Sequence, residues 1–198
     1  MKTKIRITNT SFFEKLIEQS KSIYARSFLY FLSFIEAIFF PIPIDPLLAI
    51  LVLNNKQKYI EITSYCTLAS VIGGSFGWLL GYVIGEEIEE LLTIIPWIEN
   101  NSFDTVKLAF NEHGIFIIFL GAFTPFPFKI IAITSGIFNI NIISFIVMSL
   151  VGRGLRYFLV SLIVIKFGDQ GIFLLKKHTF SITSLSGLIL ILLYLIFD

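Results

Sequence analysis

The chain has 198 residues, 56% of them hydrophobic and 16% aromatic, with 15% charged and a formal net charge of +1. Soluble domains carry about 25% charged and roughly 45–50% apolar residues, so this composition excludes a cytosolic enzyme, a disordered chain and a secreted disulfide scaffold. The near-neutral balance leaves no basic footprint for nucleic acid, and Cys66 as the single cysteine excludes an intramolecular disulfide or a cysteine metal cluster.

Residues 1–27 carry Lys2, Lys4, Arg6, Lys15, Lys21 and Arg26 against Glu14 and Glu18, with no small-residue cleavage signal after them. A retained, cytoplasmic N-terminus is expected from the positive-inside tendency. Apolar stretches follow at 28–53, 62–85, 114–138, 141–167 and 182–197. Stretches of about 20 residues are long enough to cross the roughly 30 Å hydrocarbon layer as helices. The second, fourth and fifth contain no proline and read as spanning helices. The first is broken by Pro41 and Pro43, with Pro46 after them, and the third by Pro125 and Pro127. Proline removes a backbone donor and clashes with the preceding turn, at about 3 kcal/mol or more inside a helix. A broken segment survives in hydrocarbon only where protein or a water-filled cavity surrounds it. Each stretch is therefore either a sharply broken span or a re-entrant hairpin, and the doubled prolines favour re-entrant hairpins that enter from opposite faces and meet in the middle. The connection 86–113 holds Glu86, Glu87, Glu89, Glu90, Glu99, Asp104 and Glu112 against Lys107, and reads as an amphipathic interfacial helix broken at Pro96.

The two breaks share a pattern, Pro41-Ile42-Pro43-Ile44-Asp45 and Pro125-Phe126-Pro127-Phe128-Lys129, which is P-x-P-x-charge with opposite charges. Paired, proline-interrupted segments in two halves point to the substrate site of inverted-repeat transporters. The expected architecture is an all-α integral membrane bundle with two opposed proline-broken hairpins in an inverted repeat. Glu36, Asp45, Lys129, Arg153 and Arg156 are the ionisable residues inside the apolar stretches. Intramembrane charge is costly and marks function by default. Two acids against three bases leave one cation to be compensated by an anionic group. Arg153 and Arg156 are three apart on one helix face, and guanidinium planes suit bidentate phosphate binding. Buried pairing of Asp45 with Lys129, or of Glu36 with either arginine, is the competing structural explanation. Gly73, Gly77, Gly81 and Gly85 form a small-residue stripe that permits close packing, expected to be against a hairpin; an exposed stripe would also admit a second copy of the chain. Tyr82 beside it is a further candidate hydroxyl. No catalytic constellation or metal-ligand spacing is present in the sequence, so neither an enzyme nor a cofactor is expected.

Glu36-(x4)-Pro41-Ile-Pro43-Ile-Asp45, Gly77-(x3)-Gly81-Tyr82-(x2)-Gly85, His113-Gly114, Gly121-Ala-Phe-Thr-Pro125-Phe-Pro127-Phe-Lys129, Ser135-Gly136, Phe145 and Gly152-Arg153-Gly154-(x)-Arg156 together resemble the DedA family of bacterial membrane proteins. This is also called the SNARE-associated or VTT-domain family, and the nearest branch looks like the YqaA-like proteins. The resemblance covers about 28–168 and leaves out the basic 1–27 segment and the 169–198 loop and helix. It implies two opposed re-entrant hairpins in the bacterial inner membrane and movement of phospholipid or polyprenyl-phosphate carriers between leaflets, coupled to the proton-motive force. The family's first hairpin carries acids where Glu36 and Asp45 stand. Its second commonly carries Arg on both sides of the proline, where Gly121 and Lys129 stand here, so Arg153 and Arg156 are expected to take over part of that role. The resulting expectation is a lipid translocator with Lys129, Arg153 and Arg156 on the phosphate and with Glu36 and Asp45 pairing or carrying protons. The alternative is a non-transporting assembly module whose charges only dock the hairpins.

Overall fold

The computed structural model describes residues 23–38, 44–94, 100–168 and 170–171. The described residues form α1 (Ile23–Ile38), α2 (Ile44–Asn54), a 3-10 turn (Lys56–Lys58), α3 (Tyr59–Ile94), α4 (Asn100–Phe123), α5 (Phe128–Ile137) and α6 (Ile142–Phe167). Residues 1–22, Pro41, Pro43, Pro96 and the fifth apolar stretch lie outside the described residues.

The local rules for proline and asparagine account for the boundaries. Pro46 falls in the first turn of α2, where the missing N–H has no helical partner to lose. Pro125 and Pro127 occupy the break between α4 and α5, and Pro127, in an extended conformation, caps α5. Asn139 takes the left-handed conformation (φ 57°) that turns α5 into α6. Asn141 then caps α6, its side-chain oxygen accepting from the N–H groups of Ile143 and Ser144 at 2.9 and 3.2 Å.

Helix directions follow from the contacts. Arg26 meets Glu61 at 3.4 Å, the Ser33 hydroxyl donates to the Cys66 carbonyl at 3.0 Å, and Phe34 lies on Gly73, so α1 and α3 run parallel. Because α2 leads through the 3-10 turn to Tyr59 at the level of Arg26, it must run back along α1. In the second half, Gly121 packs under Ile131 and the rings of Phe110 and Phe138 lie 5.3 Å apart, so α5 runs back along α4. α5 is parallel to α3, with Gly74 against Phe128 and Gly85 against Ile137. The pairs α1/α2 and α4/α5 therefore point in opposite directions, and the described residues that flank the two interruptions come together beside the middle of α3. α6 is antiparallel to α3, with the Thr63 and Ser161 hydroxyls 2.7 Å apart. One buried cluster joins α1, α2, the start of α3 and the end of α6 around Leu29, Leu48, Leu51, Ile62 and Tyr157; a second joins the other half around Ile118, Phe128, Ala132 and Phe145.

Two stretches are long and apolar enough to cross a membrane, Lys56–Gly85 and Ile142–Phe167. Their outward faces carry exposed Phe76, Leu79, Val83, Leu155, Leu159 and Leu162. At 1.5 Å per residue, the 16 residues of α1 and 11 of α2 reach only about 24 and 16 Å.

The connection 86–113 is helical on both sides of Pro96, as expected: α3 continues through Ile94 and α4 begins at Asn100, since glutamates sustain a helix that nothing before Pro96 interrupts. The glycine stripe packs within the chain, as expected. Gly73 faces Phe34 and Ala37, Gly77 lies against Ala132 and then Ala37, and Gly81 and Gly85 face the α5 backbone at Ile133 and Ile137. The surface that the missing side chains create is taken by α1 and α5 and is not left for a second copy.

Candidate ligand site where the two helix breaks meet

α6 passes the point where the breaks meet with Arg153, Arg156 and Tyr157 on one side, as spacings of three and four residues dictate. Gly152 makes this approach possible, because its bare Cα lies against the Phe119 carbonyl and Ala122 of α4. Each arginine then joins one flank of the first break to one flank of the second. Arg156 donates through Nη2 to Asp45 Oδ2, just after the first break, and through Nη1 to the Thr124 carbonyl, just before Pro125, both at 2.6 Å. Arg153 places Nη2 at 3.4 Å from Glu36 Oε2, before the first break, and its guanidinium lies 4.4 Å over the Phe128 ring, after the second.

The pairs differ in quality. Asp45 is 4% exposed in the first turn of α2, where amide dipoles favour a carboxylate. Its bond to Arg156 has the length of a strong charge-assisted hydrogen bond. Glu36 stands in the last turn of α1, where the same dipoles oppose it, and it meets Arg153 at ion-pair distance without hydrogen-bond geometry. Arg153 is held by a neutral partner, donating through Nη1 to the hydroxyl of fully buried Tyr157 at 2.9 Å. That hydroxyl lies 3.5 Å from the Ser33 hydroxyl. Among the described residues, the buried side-chain atoms without a hydrogen-bond partner are Arg26 Nε, Glu36 Oε2, Ser70 Oγ, Ser149 Oγ, Arg153 Nε and Arg156 Nε. Buried polar groups are normally satisfied, and Glu36, Arg153 and Arg156 bring three of these six atoms to the same site.

Of the sequence-derived residues, the structure brings together Glu36, Asp45, Arg153 and Arg156. Asp45 has Arg156 as a short-range partner, because α6 brings a guanidinium to the start of α2. Lys129 lies half-buried in the first turn of α5, next to Phe128. Tyr82 is removed from the candidates, being 52% exposed on the outer face and stacked on Trp78 at 5.2 Å. The sequence reading missed Thr124, Phe128, Tyr157 and Ser33. Tyr157, four residues after Arg153, was available from helical spacing, whereas the Thr124 carbonyl and the Phe128 ring have no sequence signature. No group of three or more His, Cys, Asp and Glu able to hold a metal occurs among the described residues.

Residues 42–166 match the VTT domain. An uncharacterized protein of Haemophilus influenzae is 29% identical over 165 residues, spanning 83% of this chain and 85% of its own length. An uncharacterized protein of Histophilus somni is 30% identical over 149 residues, spanning 75% of this chain and 77% of its own. No solved structure matches the chain.

Proposed function

Because the chain belongs to the VTT-domain family, the DedA family of membrane proteins, we propose that it moves phosphate-bearing lipids, phospholipid or polyprenyl phosphate, between membrane leaflets. The observation that carries this reading is the pair of buried guanidinium groups at the meeting of the two breaks, each with an unpartnered Nε. Uncommitted donors of this kind in an apolar bundle fit an anion with several acceptor oxygens.

In this reading both hairpins are re-entrant, entering an inner membrane from opposite faces, with the cationic N-terminal side cytoplasmic. The apolar α3 and α6, each long enough to cross about 30 Å of hydrocarbon, provide the frame. The phosphate enters between the breaks and is held by Arg153 and Arg156 with Lys129 at the rim; acyl or prenyl tails stay in the bilayer. Glu36 and Asp45 neutralise the arginines when no phosphate is bound, and coupling to a proton gradient belongs to the same reading.

The test is leaflet exchange of labelled phospholipid and of a polyprenyl phosphate in proteoliposomes, comparing wild type with Arg153→Ala/Arg156→Ala at matched reconstitution. Exchange by wild type that the double variant abolishes is the expected result. Absence of exchange of either lipid by folded wild-type protein would instead favour a docking module, for which the saturated Asp45–Arg156 contact is the supporting observation.

A further inference from the structure

We infer that the two arginines have separate tasks: Arg156 is a fixed clasp between the hairpins, and Arg153 is the residue that exchanges its carboxylate for the phosphate of a lipid. This rests on the translocator reading and divides its binding site into a constant part and a variable part.

Three observations separate the residues. First, Arg156 spends both terminal nitrogens on contacts of 2.6 Å, one to a carboxylate and one to a backbone carbonyl on the other side of the site. Displacing Asp45 would strand a buried carboxylate and unfasten the two breaks from each other, and an unpaired buried charge is strongly unfavourable. Second, Glu36 is the acid placed to leave. It sits at the helix end whose dipole repels it, its contact is 3.4 Å, and its side chain is 17% exposed against 6% for Asp45. Third, the edge that Glu36 partly covers is the useful one. In a guanidinium the Nε and Nη2 hydrogens point the same way and form a two-donor fork for phosphate oxygens. On Arg153 the Nε has no partner and Nη2 faces only Glu36. On Arg156 the corresponding fork is already half used by Asp45.

Tyr157 and Phe128 complete the arrangement as positioning residues. The Tyr157 hydroxyl takes Arg153 Nη1 and the Phe128 ring supports the guanidinium face, so both hold the fork in place whether Glu36 or a phosphate occupies it. Withdrawal of Glu36 therefore exposes a preformed donor pair and does not require Arg153 to change rotamer. A ligand carrying a phosphomonoester, with two or more acceptor oxygens on one face, suits this fork best.

The experiment uses the full chain in detergent, titrated with short-chain phosphatidic acid and followed by thermal unfolding, together with leaflet exchange in proteoliposomes. Glu36→Gln removes the competing charge and is expected to tighten phosphatidic acid binding. Arg153→Lys keeps the charge but loses the fork, and is expected to weaken binding by about tenfold or more, as for the loss of one charge-assisted hydrogen bond. Arg156→Lys is expected to lower the unfolding temperature of the ligand-free protein more than Arg153→Lys does, and to weaken binding less. Weaker binding by Glu36→Gln, or a larger loss of affinity in Arg156→Lys than in Arg153→Lys, would overturn the division. Glu36→Gln decides the matter alone if either arginine variant fails to fold. Binding that follows the expected pattern without any lipid exchange would sink the transport reading and leave the division standing. Exchange in which Arg153→Lys equals wild type in both assays would do the reverse.

Discussion

A charged side chain in the middle of a bilayer costs about 2.5–3.5 kcal/mol on insertion scales, so its tolerance depends on the partners it finds. Asp45 and Glu36 show how backbone position sets the strength of that partnership. One carboxylate sits in the first turn of α2, at its positive end, and binds Arg156 tightly; the other sits in the last turn of α1, at its negative end, and binds Arg153 loosely. Removing one member of the tight pair leaves a buried charge exposed to its full desolvation cost. Asp45→Ala is therefore expected to destabilise the protein by roughly 3–5 kcal/mol, measured by denaturant titration in mixed micelles. Asp45→Leu with Arg156→Met should recover most of that loss. A double variant no better than the single one would mean that the pair contributes little and that the Thr124 contact dominates.

Proline and glycine do opposite work at the level of the helix. Pro125 and Pro127 end α4 and start α5, while Pro46 is accommodated in a first turn without interrupting anything. The glycines of α3 admit both hairpins at close range. Gly81 is the tightest position, where an added methyl group would collide with the Ile133 carbonyl; at Gly154 the same group would find only the Thr67 methyl at an ordinary 3.8 Å. Gly81→Ala should therefore destabilise by about 1–3 kcal/mol through overpacking, whereas Gly154→Ala should be neutral or stabilising by up to about 1 kcal/mol because alanine favours helix. Unfolding midpoints of the two variants check this contrast. Equal effects would show that α5 is free to shift away from α3.

For the whole molecule, the doubling back of both units has a consequence that a bilayer makes measurable. Arg26, Lys56 and Lys58 lie at the end where α1 begins and α2 finishes, and Lys166 ends α6 near the same place. Asn139 and Glu112 lie at the opposite end, with the turn into α6. In a Cys66→Ser background, cysteines placed at Ser27 and Asn54 should both react with a membrane-impermeant thiol reagent from the cytoplasmic side. Cysteines at Leu108 and Asn139 should both react from the other side. Opposite accessibility of Ser27 and Asn54 would make the first unit a broken span that crosses the membrane, and would refute the re-entrant reading.

Composition and apolar run length were enough to determine the helical, membrane-protein class. The spacing of the proline and glycine motifs was enough for the family, because these signals are local or depend on residue order alone. The break at Pro125 and Pro127 was legible for the same reason: a missing N–H and a steric clash act within one turn. Which charges meet was not legible. Asp45 and Arg156 are 111 residues apart, and opposite sign alone does not single out the guanidinium that the path of α6 brings to the start of α2. The glycine stripe likewise announced close packing against a hairpin without saying which residues it would meet, since a bare Cα specifies a distance and not a neighbour. The unequal hold on the two arginines came from tertiary structure alone. It depends on which helix end each carboxylate occupies, and on a backbone carbonyl and an aromatic ring that reach the site only because α4 and α5 pack beside α6 there.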